Sequence, residues 1–330
     1  MNSLPPELHL QILSYLSPPD HINYRIISTR SADVAASLVF AIYEYKSSIH
    51  DISRLKALLT PHLAQHIKAL HYSDETDRQG RKYGHANAFN IQLHTVVELL
   101  VQNGATLSSL TASSLPYWFF APDTSNHIDS FTQSCSRVTH LSLDIRWYVS
   151  ETYTFSDVIQ RGTLRSVIAS MQCLSELVLK FGPETPADKG VVGGYRGMGM
   201  YTGPRPRVSE VLPVEEMAWG RLKKLEMWFV SATVGELVGL WGLCAASVWE
   251  LDFAGVALCE VDGRKIVDYE NRVKEAWRRV VKGLERCEVL RRVSLRERTK
   301  NTALDERRWC VRGKMGMVML ETDVNLDLTD

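Results

Sequence analysis

Charge of either sign is not in excess in this chain. Its 330 residues carry 38 Lys plus Arg against 38 Asp plus Glu, so the total gives no reason to expect a polyanionic partner or an anionic membrane surface. Paired cysteines are missing as well. The six cysteines, at positions 135, 173, 244, 259, 287 and 310, include no Cys-x-x-Cys, which excludes a zinc ribbon or a dithiol redox motif. Several fall inside apolar stretches, where cysteine acts as a small hydrophobe. Reduced thiols fit a cytoplasmic or nuclear location. No basic segment followed by an apolar run stands at the start, so no secretory signal is expected.

Catalytic and cofactor signatures are equally scarce. Gly190 to Gly199 is glycine-rich, but it lacks the Gly-Lys-Ser/Thr ending of a phosphate loop. Prolines at 183, 186, 204 and 206 flank it where a strand and a helix would be needed, and a mobile insertion near 183–213 is the expectation. His62 and His66 have the four-residue spacing that can hold zinc. They lack an intervening Glu and a third ligand, which favours ordinary surface or core histidines. No Gly-x-Ser-x-Gly elbow occurs, and Glu215-Glu216 beside prolines reads as a solvated loop. The sequence names no catalytic residue, no metal ligand and no cofactor.

Only residues 230–249 are long and apolar enough to raise a membrane span. Glu236 lies inside the run and three glycines dilute it, so a buried helix is expected and no span. Charge is unevenly placed even though it sums to zero. From Arg264 to Lys314 there are 17 Lys plus Arg and 8 Asp plus Glu, a local excess of nine. Val273, Trp277, Val280, Val281 and Leu284 punctuate that stretch, which reads as an outer helix with a solvated cationic face. Nucleic-acid binding is not favoured, since no recognised module accompanies the charge.

At the N-terminus, Pro5 or Pro6 suits a first helical turn and Glu7 favours the positive helix start. Leu8, Ile12, Tyr15 and Leu16 then form one stripe, while Leu10 and Leu13 form a second. Two apolar faces imply two neighbours. Pro18-Pro19 stops the helix, Asp20 suits an N-cap for a second helix through Ile22, Ile26 and Ile27, and 33–40 reads as a third after a turn at Ser28, Thr29 and Ser31. Over residues 4–40 this order resembles an F-box of fungal style. The resemblance implies three short helices that dock on a Skp-type adaptor and so reach a cullin ubiquitin ligase. By position it makes Leu4, Pro5, Leu8 and Ile12 the adaptor contacts, and it sets an F-box at 1–45. The plain alternative is a helical cap over a larger core.

Behind it, one pattern recurs: apolar, two variable, apolar, one variable, apolar. It appears at Val138 to Leu143, Leu174 to Leu179, Leu222 to Met227, Val248 to Phe253 and Leu290 to Leu295, with shorter or earlier versions at Leu107 to Leu110 and Ile67 to Tyr72. Helical stretches at 163–173, 234–246 and 271–287 precede several copies. Helix then strand, repeated, predicts a parallel sheet in which each unit buries itself against its neighbours. This resembles a leucine-rich-repeat array, although the copies are spaced from 26 residues (225 to 251) to 48 (177 to 225), and no Asn follows the strands. The expected fold is α/β: a three-helix F-box, then an irregular leucine-rich-repeat-like solenoid over 46–330 with a curved parallel sheet and outer helices.

In such strands alternate residues face opposite sides. Leu141, Leu143, Leu177, Leu179, Leu225, Met227, Leu251, Phe253, Val293 and Leu295 should be buried. The other face should present Lys180, Lys224, Glu226, Trp228, Asp252, Arg292 and Arg296 as a surface for a protein substrate. Taken together, the two resemblances imply a non-catalytic substrate receptor of a Skp/cullin/F-box ubiquitin ligase. The rivals are a repeat scaffold with a vestigial F-box, and an enzyme with a site hidden near the insertion.

Overall fold

In the computed structural model the described residues are 4–46, 49–73, 86–121, 125–147, 158–159, 163–183, 205–215, 219–259, 271–285, 287, 289–298, 306–312 and 317–321. Proline opens each of the first two helices, α1 (Pro6–Ser14) and α2 (Pro18–Tyr24), where its missing N–H costs nothing. Pro18-Pro19 thus starts the second helix as well as ending the first. Ser17, with extended dihedrals, stands at its N-cap rather than Asp20, and the Ser17 hydroxyl donates to the Asp20 carboxylate from outside the helix. The third helix, α3 (Thr29–Val39), begins four residues before the expected 33. Ser28 and Ser31 build a capping box: Ser31 N donates to Ser28 Oγ (3.1 Å) and Ser28 N donates to Ser31 Oγ (2.8 Å). What reads in the sequence as a turn is therefore the helix start, because serine can accept orphan N–H bonds as readily as it can make a turn.

Two compact units make up the chain, residues 1–113 with 129–138, and residues 114–128 with 139–330. In the first, α1 to α3 are followed by β1 (Ile42–Lys46), α4 (Ile49–Leu58), α5 (Pro61–Ala64), β2 (Ala69–Ser73), α6 (Ala86–Gln102) and the first five residues of β3 (Ser109–Pro116). The strands β1, β2 and β3 are parallel neighbours, with Tyr43 opposite Leu70 and Leu70 opposite Leu110. Tyr45, Leu70, Tyr72 and Leu110 are buried with Leu93, Val96, Val97 and Leu100 of α6. Those α6 positions recur at three- and four-residue spacing, the stripe a helix needs to cover one face of a sheet.

The second unit holds β4 (His140–Trp147), α8 (Thr163–Ser170), β5 (Glu176–Pro183), α9 (Val208–Val211), β6 (Lys224–Trp228), β7 (Ser231–Thr233), α10 (Val234–Cys244), β8 (Glu250–Ala254), β9 (Ala257–Cys259), α11 (Asn271–Leu284), β10 (Arg292–Arg298), β11 (Glu306–Arg312) and β12 (Met317–Glu321); α7 (Ser125–Ser134) spans the boundary between the units. Its main sheet runs β4-β5-β6-β8-β10-β11-β12. From β4 to β10 the strands are parallel, and all ten expected inward residues are buried, none more than 2% exposed. The last two strands turn antiparallel. A parallel return needs a crossover of a dozen residues or more, and only 299–305 and 313–316 are available to join them.

Within the 230–249 stretch lie the short β7 and the eleven-residue α10, and among the described residues no helix is long and apolar enough to cross a membrane. Of the expected insertion near 183–213, residues 184–204 lie outside the described ones. Its last part is built into the protein: Val208, Val211 and Leu212 are buried. Glu236, at the third position of α10, fixes it there. Its carboxylate accepts from Thr233 N (2.6 Å), from Arg207 Nη2 (3.1 Å) and from the Ser209 hydroxyl.

Candidate functional site

The first helix sorts its two stripes unequally. Leu13 is fully buried against Tyr24 and Ala35, with Leu16 and Val34 packed around them. Leu8 and Ile12 stay 43% and 36% exposed, and Tyr15 reaches 81%. Thus Leu8, Ile12 and Tyr15 form the free face. Leu16, which the spacing groups with them, lies just past the end of α1 and packs against the Leu13, Tyr24 and Ala35 cluster. Leu10 is exposed too. Pro5 is the exposed N-cap of the helix and Leu4 is partly buried before it. All four expected adaptor contacts therefore lie on or just ahead of one helix, with Leu8 and Ile12 accessible.

Polar groups hold this helix from behind. His9 is fully buried, and its Nδ1 is hydrogen-bonded to the Tyr24 hydroxyl at 2.7 Å. His21 Nε2 is 2.8 Å from the carbonyl of Leu13, a second contact to an acceptor at the end of α1 that also receives the Leu16 N–H at 3.1 Å. Neither histidine is distinguished by spacing, so this pairing is invisible in the sequence. Ile22, Ile26 and Ile27 remain exposed on α2 and the turn after it, Ile26 to 85%. An apolar residue exposed to that degree contributes little to the fold.

On the second unit's sheet the expected outward residues align by register. Glu176, Lys224, Glu250 and Arg292 form one cross-strand row, and Val178, Glu226, Asp252 and Ser294 the next. Their charges are largely spoken for within the face. Glu226 accepts ion pairs from Lys180 (3.0 Å) and Lys224 (3.5 Å), Arg292 pairs with Glu250 (3.3 Å), and Lys180 Nζ stands 4.3 Å above the centroid of Trp228. Glu226 and Asp252 are direct cross-strand neighbours, a repulsive pairing that the two lysines offset. Trp228 is half-buried. Arg296 is in β10 opposite Ala254, and its side chain is outside the described residues.

Candidate chemistry elsewhere is thin. His62 and His66 contact edge to face at 5.7 Å, and Asp33 is 3.7 Å from His62. Burial first, then repulsion from His62, lowers the His66 pKa, with Asp33 acting the other way. Among the described residues no three His, Cys, Asp or Glu side chains gather as metal ligands. Burial also raises the pKa of the Cys135, Cys244 and Cys287 thiols, which keeps them protonated and poor nucleophiles.

Residues 1–43 match the family model of the F-box domain. No curated protein matches the chain. F-box domains bind Skp-type adaptors, and their presence points to substrate recognition in a Skp/cullin/F-box ubiquitin ligase. F-box proteins are in general non-catalytic adaptors. The matched span takes in α1, α2 and α3 and ends at the start of β1.

Proposed function

We propose that this protein is a non-catalytic substrate-recognition subunit of a Skp/cullin/F-box ubiquitin ligase, with an F-box at 1–45 and a leucine-rich-repeat-like recognition region over 46–330. The carrying observation is the exposed Leu8, Ile12 and Tyr15 face of α1 inside a segment that matches the F-box domain. Leu4, Pro5, Leu8 and Ile12 contact the adaptor, and through it a cullin. Burying about 60 Å² of each exposed side chain at ~25 cal/mol per Å² contributes roughly 1.5 kcal/mol apiece, so these residues supply part of the binding energy, and further contacts from the exposed helix surface must offset the cost of association.

The repeated helix-strand units support an irregular solenoid whose curved sheet carries the substrate face. Lys180, Lys224, Glu226, Trp228, Asp252, Arg292 and Arg296 line it, with Trp228 as its aromatic anchor, since Trp and Arg carry much of the energy of such faces. Reduced thiols suit a cytoplasmic or nuclear protein. The full chain, expressed with a Skp-type adaptor and a cullin, should co-purify with both, and deletion of residues 1–45 should abolish this. A full chain that never co-purifies with the adaptor overturns the ligase reading in favour of a plain scaffold.

A further inference from the structure

Immediately before the strands of the second unit's sheet runs a row that the outward face does not include. Lys223 N donates to the Ser175 carbonyl (2.8 Å), Trp249 N to that of Lys223 (2.9 Å) and Arg291 N to that of Trp249 (2.8 Å). Backbone hydrogen bonding thus carries the sheet register one residue beyond β6, β8 and β10. It sets Lys223, Trp249 and Arg291 side by side at the sheet's N-terminal edge. Trp249 is 39% exposed. Lys223 Nζ lies 5.3 Å and Arg291 Cζ 5.1 Å from its ring centroid.

Unlike the cations of the outward face, these two carry unspent charge. Lys180, Lys224 and Arg292 are each paired with a glutamate. Among the described residues neither Lys223 nor Arg291 makes an ion pair, and the indole that orients them cannot neutralise them. Exposed Arg221 adds a third positive charge just before Lys223, and exposed Glu285, after α11, subtracts one. Val289, also exposed, adds apolar surface two residues before Arg291.

We infer that this edge binds an acidic, extended segment of a protein partner, with carboxylates at Lys223 and Arg291 and an apolar side chain against Trp249. Lys223 and Arg291 are on the strands to either side of Trp249, two strand spacings or about 9.6 Å apart along the backbone. On an extended chain, residues four apart share one face with the residue midway between them, so two carboxylates at those positions can meet Lys223 and Arg291 while the middle side chain meets Trp249. The inference rests on the second unit being the recruiting region, and it names the chemistry of what is recruited.

A fluorescein-labelled synthetic peptide with Asp at two positions four residues apart and Leu midway between them is the probe, with its Asn counterpart as control. In fluorescence anisotropy with the full chain, the Asp peptide should bind at least about tenfold more tightly than the Asn peptide, and its binding should weaken as salt rises. Trp249→Ala and the double variant Lys223→Glu/Arg291→Glu should each lose about tenfold or more, a loss of about 1.4 kcal/mol. Trp249→Phe, which preserves the packing, should retain part of the binding, while Arg278→Glu on the outer helix should leave it unchanged.

Equal binding of the two peptides, or full binding by the double variant, overturns the inference. So does displacement of the peptide by a single-stranded oligonucleotide that itself binds more tightly, which would make nucleic acid the occupant. Adaptor co-purification measured on the same preparations separates the two readings. Peptide binding without adaptor binding removes the ligase role and leaves this surface standing; adaptor binding without peptide binding removes this surface alone.

Discussion

Tyr24 places its hydroxyl 2.7 Å from Nδ1 of fully buried His9, joining α2 to α1 across the interior of the F-box segment. A buried polar pair of this kind contributes modestly when made and costs more when half removed. Tyr24→Phe leaves His9 without this bond and should destabilise the first unit by about 1–2 kcal/mol. Thermal denaturation of the full chain checks this, and an unchanged midpoint would show that the pair is dispensable.

Leu8→Ala and Ile12→Ala act on the opposite side of the same helix. Because both side chains are exposed in the free protein, their truncation should cost under about 0.5 kcal/mol in stability. Together they should weaken adaptor binding by roughly 2–3 kcal/mol. Isothermal titration with purified adaptor, set beside the melting curve, separates these effects. Equal binding by the double variant places the adaptor elsewhere.

Gly255 adopts φ +64°, and a Cβ there would lie 2.7 Å from Phe229 Cδ1. Phe229, itself at φ 58°, donates its N–H to the Ala254 carbonyl at 2.7 Å, so the two residues lock the turns that follow β6 and β8. Gly255→Ala combines left-handed backbone strain with a ring clash and should cost about 1–3 kcal/mol. Chemical denaturation gives the value.

Burial alone would raise the pKa of Glu236. The hydrogen bonds from Ser209, Thr233 N and Arg207, with the Arg207 charge, more than reverse this and leave it below the usual carboxylate range. A depressed carboxylate stabilises the fold fully above its unfolded pKa of about 4.3 and loses that contribution as pH falls through the folded value. Glu236→Gln should therefore be less stable than the native chain at neutral pH, with the gap closing below about pH 4. Limited trypsin digestion at neutral pH should cleave the variant faster after Arg207, the bond after Arg205 being protected by Pro206. A pH-independent difference would mean that the carboxylate charge is not what holds residues 205–213.

Trp228→Ala removes the ring beneath Lys180. Lys180 retains Glu226 as a partner, so the sheet should stay folded while capture of a protein substrate falls. Quantitative interaction profiling against the native chain, with adaptor recovery as the internal control, measures it. An unchanged interaction set would move the anchor to the Trp249 edge.

The sequence by itself determined the local and periodic features. Prolines at 5 and 6 set the first helix start within a residue, whereas those at 18 and 19, which read as the end of that helix before a cap at Asp20, open the second helix themselves; alternation in the Leu-x-x-Leu-x-Leu segments specified the inward residues of five strands. Both signals come from a residue and its near neighbours, so they survive without knowledge of the partners. Ser28 and Ser31 were ambiguous because turn and helix cap use the same hydroxyl chemistry. Only the tertiary structure decided which polar groups meet. His9 finds Tyr24, Glu236 gathers Ser209 and Arg207, and Lys223 and Arg291 flank Trp249, each through pairings 15 to 42 residues apart. Spacing along the chain carries no record of such contacts. It likewise marked Leu8, Ile12 and Leu16 alike as apolar, and packing against Leu13 and Tyr24 alone determined that Leu16 joins the core while the other two remain open to a partner.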